Sequence, residues 1–151
     1  GDSRRAYVLR VESLFGAASG AGPGRGSVAG IVAALCSGSA PRVFSDRTVS
    51  PTSVVDAAAA TRMLVEQHAT PGLYHCVNSG SCTWLELATE AARLLQVNPH
   101  FEILKYADVP FPAARPQYSA LSNQKLQLAG VSMPTWQEAL VRYLKPIIER
   151  R

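Results

Sequence analysis

Apolar and polar positions along the chain change period several times. "AYVLRV" (6–11) is nearly continuous in branched and aromatic residues, which predicts a buried strand; "RVF" (42–44), "LYHCVN" (73–78) and "FEILKY" (101–106) predict three more. Between them the period lengthens. Ser27 is placed to cap a helix reaching Cys36 and ending at Gly38, and Thr52 or Ser53, Thr52 by preference, to cap an alanine-rich helix running to about His68 before "TPG" (70–72) stops it. Thr83 followed by Glu86 opens a helix whose apolar residues fall at 84, 85, 87, 88, 91, 92, 94 and 95, a capping box leading into an amphipathic stripe. After a proline-punctuated loop at 110–122, two short helices close the chain near 123–129 and 135–149, the second with Thr135 and Glu138 in the same capping pattern. Strands alternating with helices predict an α/β fold.

The composition narrows the class. A chain of 151 residues suits one domain, and its 47% hydrophobic and 17% charged residues are ordinary for a globular protein. Its apolar runs fall short of the roughly 18 residues of a membrane span. The N-terminal apolar run is about five residues long and contains Arg10 and Glu12, so it reads as a strand rather than a secretory leader. The net charge of +4 is scattered, with no basic stripe carrying aromatics, which argues against a nucleic-acid surface. Cys36, Cys76 and Cys82 form no C-x-x-C pair. A Cys76–Cys82 bridge across "VNSGS" is conceivable, but a reduced, cytoplasmic setting is favoured, and His75, Cys76 and Cys82 lack the second ligand pair that zinc requires.

Two stretches invite a ligand. "GRGSVA" (24–29) matches G-x-G-x-x-A at a helix start, with Asp46 downstream, but a long loop parts it from the strand at 6–11; the glycine-rich 16–26 stretch therefore reads as a flexible loop rather than a dinucleotide turn. "SDRTVSPT" (45–52) packs an acid, a base, a proline and a helix start into one connection. Asp46 and Arg47 can face a pocket, or Asp46 can tie the turn to backbone amides. Arg115, flanked by prolines, can fork onto a diphosphate or sit in a surface ion pair. His75 reads as a hydrogen-bonded core histidine, and Trp84 and Trp136 as core residues.

Taken together, "YVLRVESLFG", "VFSDRTVSPTSVVDAA", "GLYHCVNSGSCTWLELA" and "ARPQYSALSNQKLQLAGVSMPTWQEAL" resemble the C-terminal half of dTDP-4-dehydrorhamnose reductases among the extended short-chain dehydrogenases. The matching positions are Arg10, Phe15 and Gly16; Asp46, Pro51 and Thr52; Gly72, Tyr74 and His75; Arg115, Pro116, Ser119, Leu121, Lys125 and Leu126.

The resemblance implies an α/β substrate-binding part in which 1–45 completes strands and a helix of a Rossmann sheet and 46–151 binds a sugar nucleotide, with contacts from Ser13, Asp46, Arg47, Arg115 and Ser119. It implies NAD(P) as cofactor of a full-length reductase and none for this chain. The family reduces a 4-keto sugar through a Tyr-x-x-x-Lys pair, and none of Tyr7, Tyr74, Tyr106, Tyr118 and Tyr143 has Lys four residues later, so the chain alone is expected to be inactive. Ser13 stands where the family often has Trp or Asn, and Ser122 where it has Asp, which leaves the sugar open. The alternative is a non-catalytic binding or regulatory protein of this fold, like the regulatory subunit of methionine adenosyltransferase. An unpaired edge at 6–11 is expected to meet either a Rossmann portion or a second copy.

Overall fold

The computed structural model describes residues 6–16 and 24–150, so most of the glycine-rich stretch expected to be flexible lies outside the described residues. The strands are β1 (Tyr7–Arg10), β2 (Leu14–Phe15), β3 (Arg42–Phe44), β4 (Thr48–Val49), β5 (Thr52–Ser53), β6 (Gly72–His75), β7 (Cys82–Thr83) and β8 (Glu102–Leu104). The helices are α1 (Ser27–Ser37), α2 (Val54–Glu66), α3 (Trp84–Leu95), α4 (Gln124–Leu128) and α5 (Trp136–Ile148). The alternation is that of an α/β fold.

The strands associate in pairs. β1 runs parallel to β6, β2 to β5 and β3 to β8, whereas β4 and β7 are antiparallel. The expectation of a buried first strand needs correction. β1 alternates between half-buried and exposed positions, and Val8 is 54% exposed, because only one face of the β1–β6 ribbon is covered.

Two apolar clusters hold the chain. In the first, Val28, Ile31, Val32 and Leu35 of α1 meet Trp84, Leu87, Ala91 and Leu95 of α3 and Trp136, Leu140 and Leu144 of α5 over Phe15, Val43 and Val49. The spacing of three and four residues turns one stripe of each helix inward. Each large aliphatic side chain fully buried here contributes roughly 1.5–3 kcal/mol. Trp84 and Trp136 are core residues, as expected. The second cluster joins Ala60 and Leu64 of α2 to Tyr74, Cys76, Leu126, Val131 and Met133. The three cysteines are unpaired; burial raises the Cys76 thiol, and burial with nearby Glu86 and Glu12 pushes the Cys82 thiol up to about 12.

Helix starts divide by chemistry. Thr83 and Thr135 form the expected capping boxes with Glu86 and Glu138. Two expected caps are corrected. Ser53, not Thr52, caps α2, its hydroxyl accepting from the Val55 and Asp56 amides, because the helix begins at Val54. Thr52 is still in β5 opposite Leu14, and its hydroxyl donates to the Ser50 carbonyl at 2.9 Å. Ser27 is already helical; the N-cap of α1 is Gly26, at φ 101°, with no side-chain bond.

Candidate functional site

A cleft of about 520 Å³ opens where α1, β3 and the β1–β2 connection converge, with residues from 40–49 and Arg115 on its walls. Its apolar side includes Ile31, Val43, Phe44 and Trp84; its polar side presents Glu12, Ser13, Ser27, Arg42, Arg47 and Arg115, with Arg42 tied to Glu102 at 2.9 Å.

The connection from β3 to α2 builds one wall. The Asp46 carboxylate accepts from the Tyr106 amide at 2.9 and 3.1 Å and from the Gln117 side chain at 3.1 Å, so it staples the 106 turn and the 117 segment to the end of β3. That is the turn-tying role, and Asp46 is not among the cleft-lining residues. Thr48 then pairs its backbone with the following loop, donating to the Gln117 carbonyl and accepting from the Ser119 amide, both at 2.9 Å. This stitching brings Arg115 to the cleft that Arg47 also lines.

The two arginines share an aromatic support. Phe111 stacks on Tyr106 with centroids 5.2 Å apart and lies 6.0 Å from Phe44. The Arg47 guanidinium sits 5.2 Å from the Phe44 centroid and 5.6 Å from that of Phe111, and the Arg115 guanidinium 6.0 Å from Phe111. Tyr106 accepts from the Arg115 amide through its hydroxyl at 3.3 Å. Arg47 Nε is buried without a hydrogen-bond partner among the described residues. A buried guanidinium nitrogen in that state costs desolvation energy that an anionic acceptor would offset.

Ser13 and Ser119 meet at a residue the sequence did not single out. Glu12 Oε1 accepts from Ser13 Oγ at 2.6 Å and Ser119 Oγ at 3.2 Å, while Oε2 accepts from the Ser50 amide at 2.5 Å. Ser119 Oγ also lies 3.2 Å from the Thr48 carbonyl, so one proton serves two acceptors. Ser13 adopts φ 42°, a left-handed conformation uncommon outside glycine. Of the five expected contact residues, Ser13, Arg47 and Arg115 line the cleft, Asp46 braces its wall, and Ser119 braces Glu12.

Other residues of the recognised pattern are structural. Lys125 Nζ donates to the Leu73 carbonyl at 2.7 Å and lies 4.5 Å from the Tyr74 ring centroid; Tyr74 donates to the Thr70 carbonyl at 2.6 Å. His75 Nδ1 is 3.1 Å from the Ser122 carbonyl, consistent with the hydrogen-bonded role expected of it, although the ring is half-buried. Among the described residues β2 ends at Phe15 and α1 begins at Ser27, so no described strand feeds directly into Gly24 and Gly26 as a dinucleotide turn would require.

Comparison with known proteins places this geometry. The spore coat polysaccharide biosynthesis protein SpsK of Bacillus subtilis is 36% identical over 104 residues, covering 69% of this chain and 36% of its own length. A dTDP-4-dehydrorhamnose reductase of Streptomyces griseus is 30% identical over 140 residues, covering 89% of this chain and 44% of its own. The crystal structure of a dTDP-4-dehydrorhamnose reductase from Clostridium acetobutylicum superposes with a TM-score of 0.81 at 27% identity, over 93% of this chain and 48% of that one. The Bacillus anthracis dTDP-4-dehydrorhamnose reductase in complex with NADP gives 0.80 at 27% identity, over the same shares. The chain thus spans less than half the length of these relatives. The family model described as the RmlD substrate binding domain matches residues 1–148, and with the strand pairing and the cleft already described, the chain belongs to that family.

Proposed function

We propose that this chain is the sugar-nucleotide-binding portion of an NAD(P)-dependent reductase that acts on a 4-keto sugar nucleotide, and that its cleft holds the nucleotide diphosphate between Arg47 and Arg115. The observation that carries this reading is the buried, unpartnered Arg47 Nε in a cleft that Arg115 shares. Two guanidiniums braced on Phe111 offer planar, pre-positioned donors that suit phosphate oxygens better than two flexible ammonium groups would. The apolar wall of Ile31, Val43, Phe44 and Trp84 suits the flatter faces of a base or sugar.

No tyrosine of the chain has lysine four residues on, so the 151 residues by themselves bind without reducing. Membership of the family and the activities of the relatives support the substrate class. A non-catalytic binding role for the parent protein uses the same cleft and differs in lacking turnover.

Isothermal calorimetry with dTDP tests the reading. A charge-assisted contact is worth roughly 1.5–3 kcal/mol, so Arg47→Ala and Arg115→Ala are each expected to weaken dTDP about ten- to a hundredfold with little change in thermal midpoint. Unchanged affinity in both variants would mean the cleft is not the nucleotide site.

A further inference from the structure

The polar surface of the cleft is chemically lopsided. Beside three arginines, of which Arg42 is paired with Glu102 and Arg47 and Arg115 are in no ion pair among the described residues, it presents a carboxylate, Glu12, which no ion pair among the described residues neutralises. A carboxylate offers about four acceptor positions. Three are filled by the Ser13 hydroxyl, the Ser119 hydroxyl and the Ser50 amide, which leaves one for the cleft. The Ser13 hydroxyl is also turned into an acceptor: it commits its single proton to Glu12 and keeps lone pairs free, while Ser119 shares its proton between Glu12 and the Thr48 carbonyl. Around Glu12 the walls therefore offer acceptors, whereas Arg47 and Arg115 offer donors.

This polarity sorts the parts of a nucleotide sugar. Its phosphates accept and carry negative charge; its sugar hydroxyls, or an amino group in their place, donate. We propose that Glu12 is the specificity-determining residue of this cleft, its carboxylate accepting directly from a hydroxyl or amino group of the sugar while Ser13, at φ 42° and bonded to Glu12, supplies a second acceptor. The inference rests on the diphosphate reading above and extends it to the sugar. A carbonyl or carboxylate oxygen at that position would meet lone pairs and negative charge, so a uronic acid is disfavoured there and a neutral or amino sugar is selected.

The test separates sugar from nucleotide by titrating the purified chain with dTDP and with dTDP-glucose in parallel. Glu12→Gln keeps the size and one acceptor oxygen but replaces the other oxygen with a donor amide. It is expected to weaken dTDP-glucose about tenfold while leaving dTDP within about twofold, because a single charged hydrogen bond is lost. Ser13→Ala leaves the Glu12 contact with the Ser50 amide in place and keeps the proposal testable if Glu12→Gln folds poorly; it is expected to weaken dTDP-glucose about threefold and dTDP not at all. Equal weakening of both ligands would make Glu12 a brace for the 48–50 and 119 segments and overturn the inference. Unaltered dTDP-glucose binding in both variants would overturn it as well. A parent chain that binds neither ligand would remove the diphosphate reading and the sugar inference together.

Discussion

Asn78 and Arg47 are two polar residues with opposite states of satisfaction. Asn78 is 1% exposed, and its side chain is fully engaged: Oδ1 accepts from the Ser53 amide at 2.7 Å, and Nδ2 donates to Asp56 at 2.8 Å and to the Pro134 carbonyl at 3.0 Å. Asp56 in turn holds Arg142 of α5 in an ion pair at 2.5 Å. One amide thus fastens the start of α2 to the end of β6, to the approach of α5 and to α5 itself. Arg47 has a buried nitrogen with no hydrogen-bond partner among the described residues. Closed networks specify a fold, because each buried group already has its bond; an open one on a cleft wall leaves a bond for something else to make. The contrast separates the scaffold of this domain from its proposed site without reference to any relative.

The strongest way to break the contrast is to open the closed network. Asn78→Ala strands the Ser53 amide and the Pro134 carbonyl and leaves Asp56 with one partner fewer, so a loss of about 3 kcal/mol is expected by urea denaturation. The variant that still folds should bind dTDP as the parent does. A loss of affinity at constant stability would place Asn78 in the site and dissolve the distinction. The arginine variants already described are the converse case, affinity lost at constant stability.

A smaller effect sharpens the border between the regions, which runs through "SPTS" at 50–53. Ser53→Ala removes the α2 cap and is expected to cost about 1 kcal/mol of stability. Thr52→Val removes a hydroxyl bonded to the Ser50 carbonyl but keeps the β-branched shape in β5, and should cost about half as much. Thermal unfolding of the pair checks the order; the reverse order would return the cap to Thr52.

Much of the scaffold was legible because its signals are local. Thr83–Glu86 and Thr135–Glu138 announce their capping boxes three residues apart, and the stripes of α3 and α5 follow from helical geometry alone. The errors at 27 and 52 are one-residue errors in locating a helix start: Ser27 outranks the Gly26 before it as a cap, and at 52–53 threonine and serine are nearly equivalent candidates. The site was legible only in part. Arg47 and Arg115 stood out by charge beside turns, and the recognised pattern drew in Ser13 and Ser119. Glu12 and Phe111 were missed because their meaning is non-local: Glu12 meets Ser119 across 107 residues of sequence, and Phe111 sits in a proline-rich loop whose pattern shows no sign of an aromatic stack. Asn78 did leave a trace, a polar residue closing the apolar run "LYHCVN", but its three partners lie 22 to 56 residues away.

The smallest expected effect is one of acidity, and it touches the scaffold alone. The Glu138 carboxylate accepts from the Thr135 amide at 2.7 Å and from its hydroxyl at 2.8 Å, and these bonds, the amide foremost, hold its pKa below the ordinary value of 4.5. A carboxyl that is more acidic in the folded chain than in the unfolded one stabilises the fold above its unfolded value and ceases to do so as the pH falls through its folded one. The capping box of α5 therefore contributes fully at neutral pH and fades on acidification below about 4.5. Glu138→Ala should accordingly lower the thermal midpoint slightly at pH 7, with the gap to the parent closing as the pH falls below about 4.5. The carboxylate is on the solvent side of α5 and lines no part of the cleft, so dTDP affinity at pH 7 should be the same in parent and variant. A gap that persists unchanged into acid would mean that the helix start depends on the shape of the glutamate stem rather than on its charge. A fall in affinity would mean that α5 transmits its first turn to the cleft through Arg142, Asp56 and Ser53, and that scaffold and site are coupled after all.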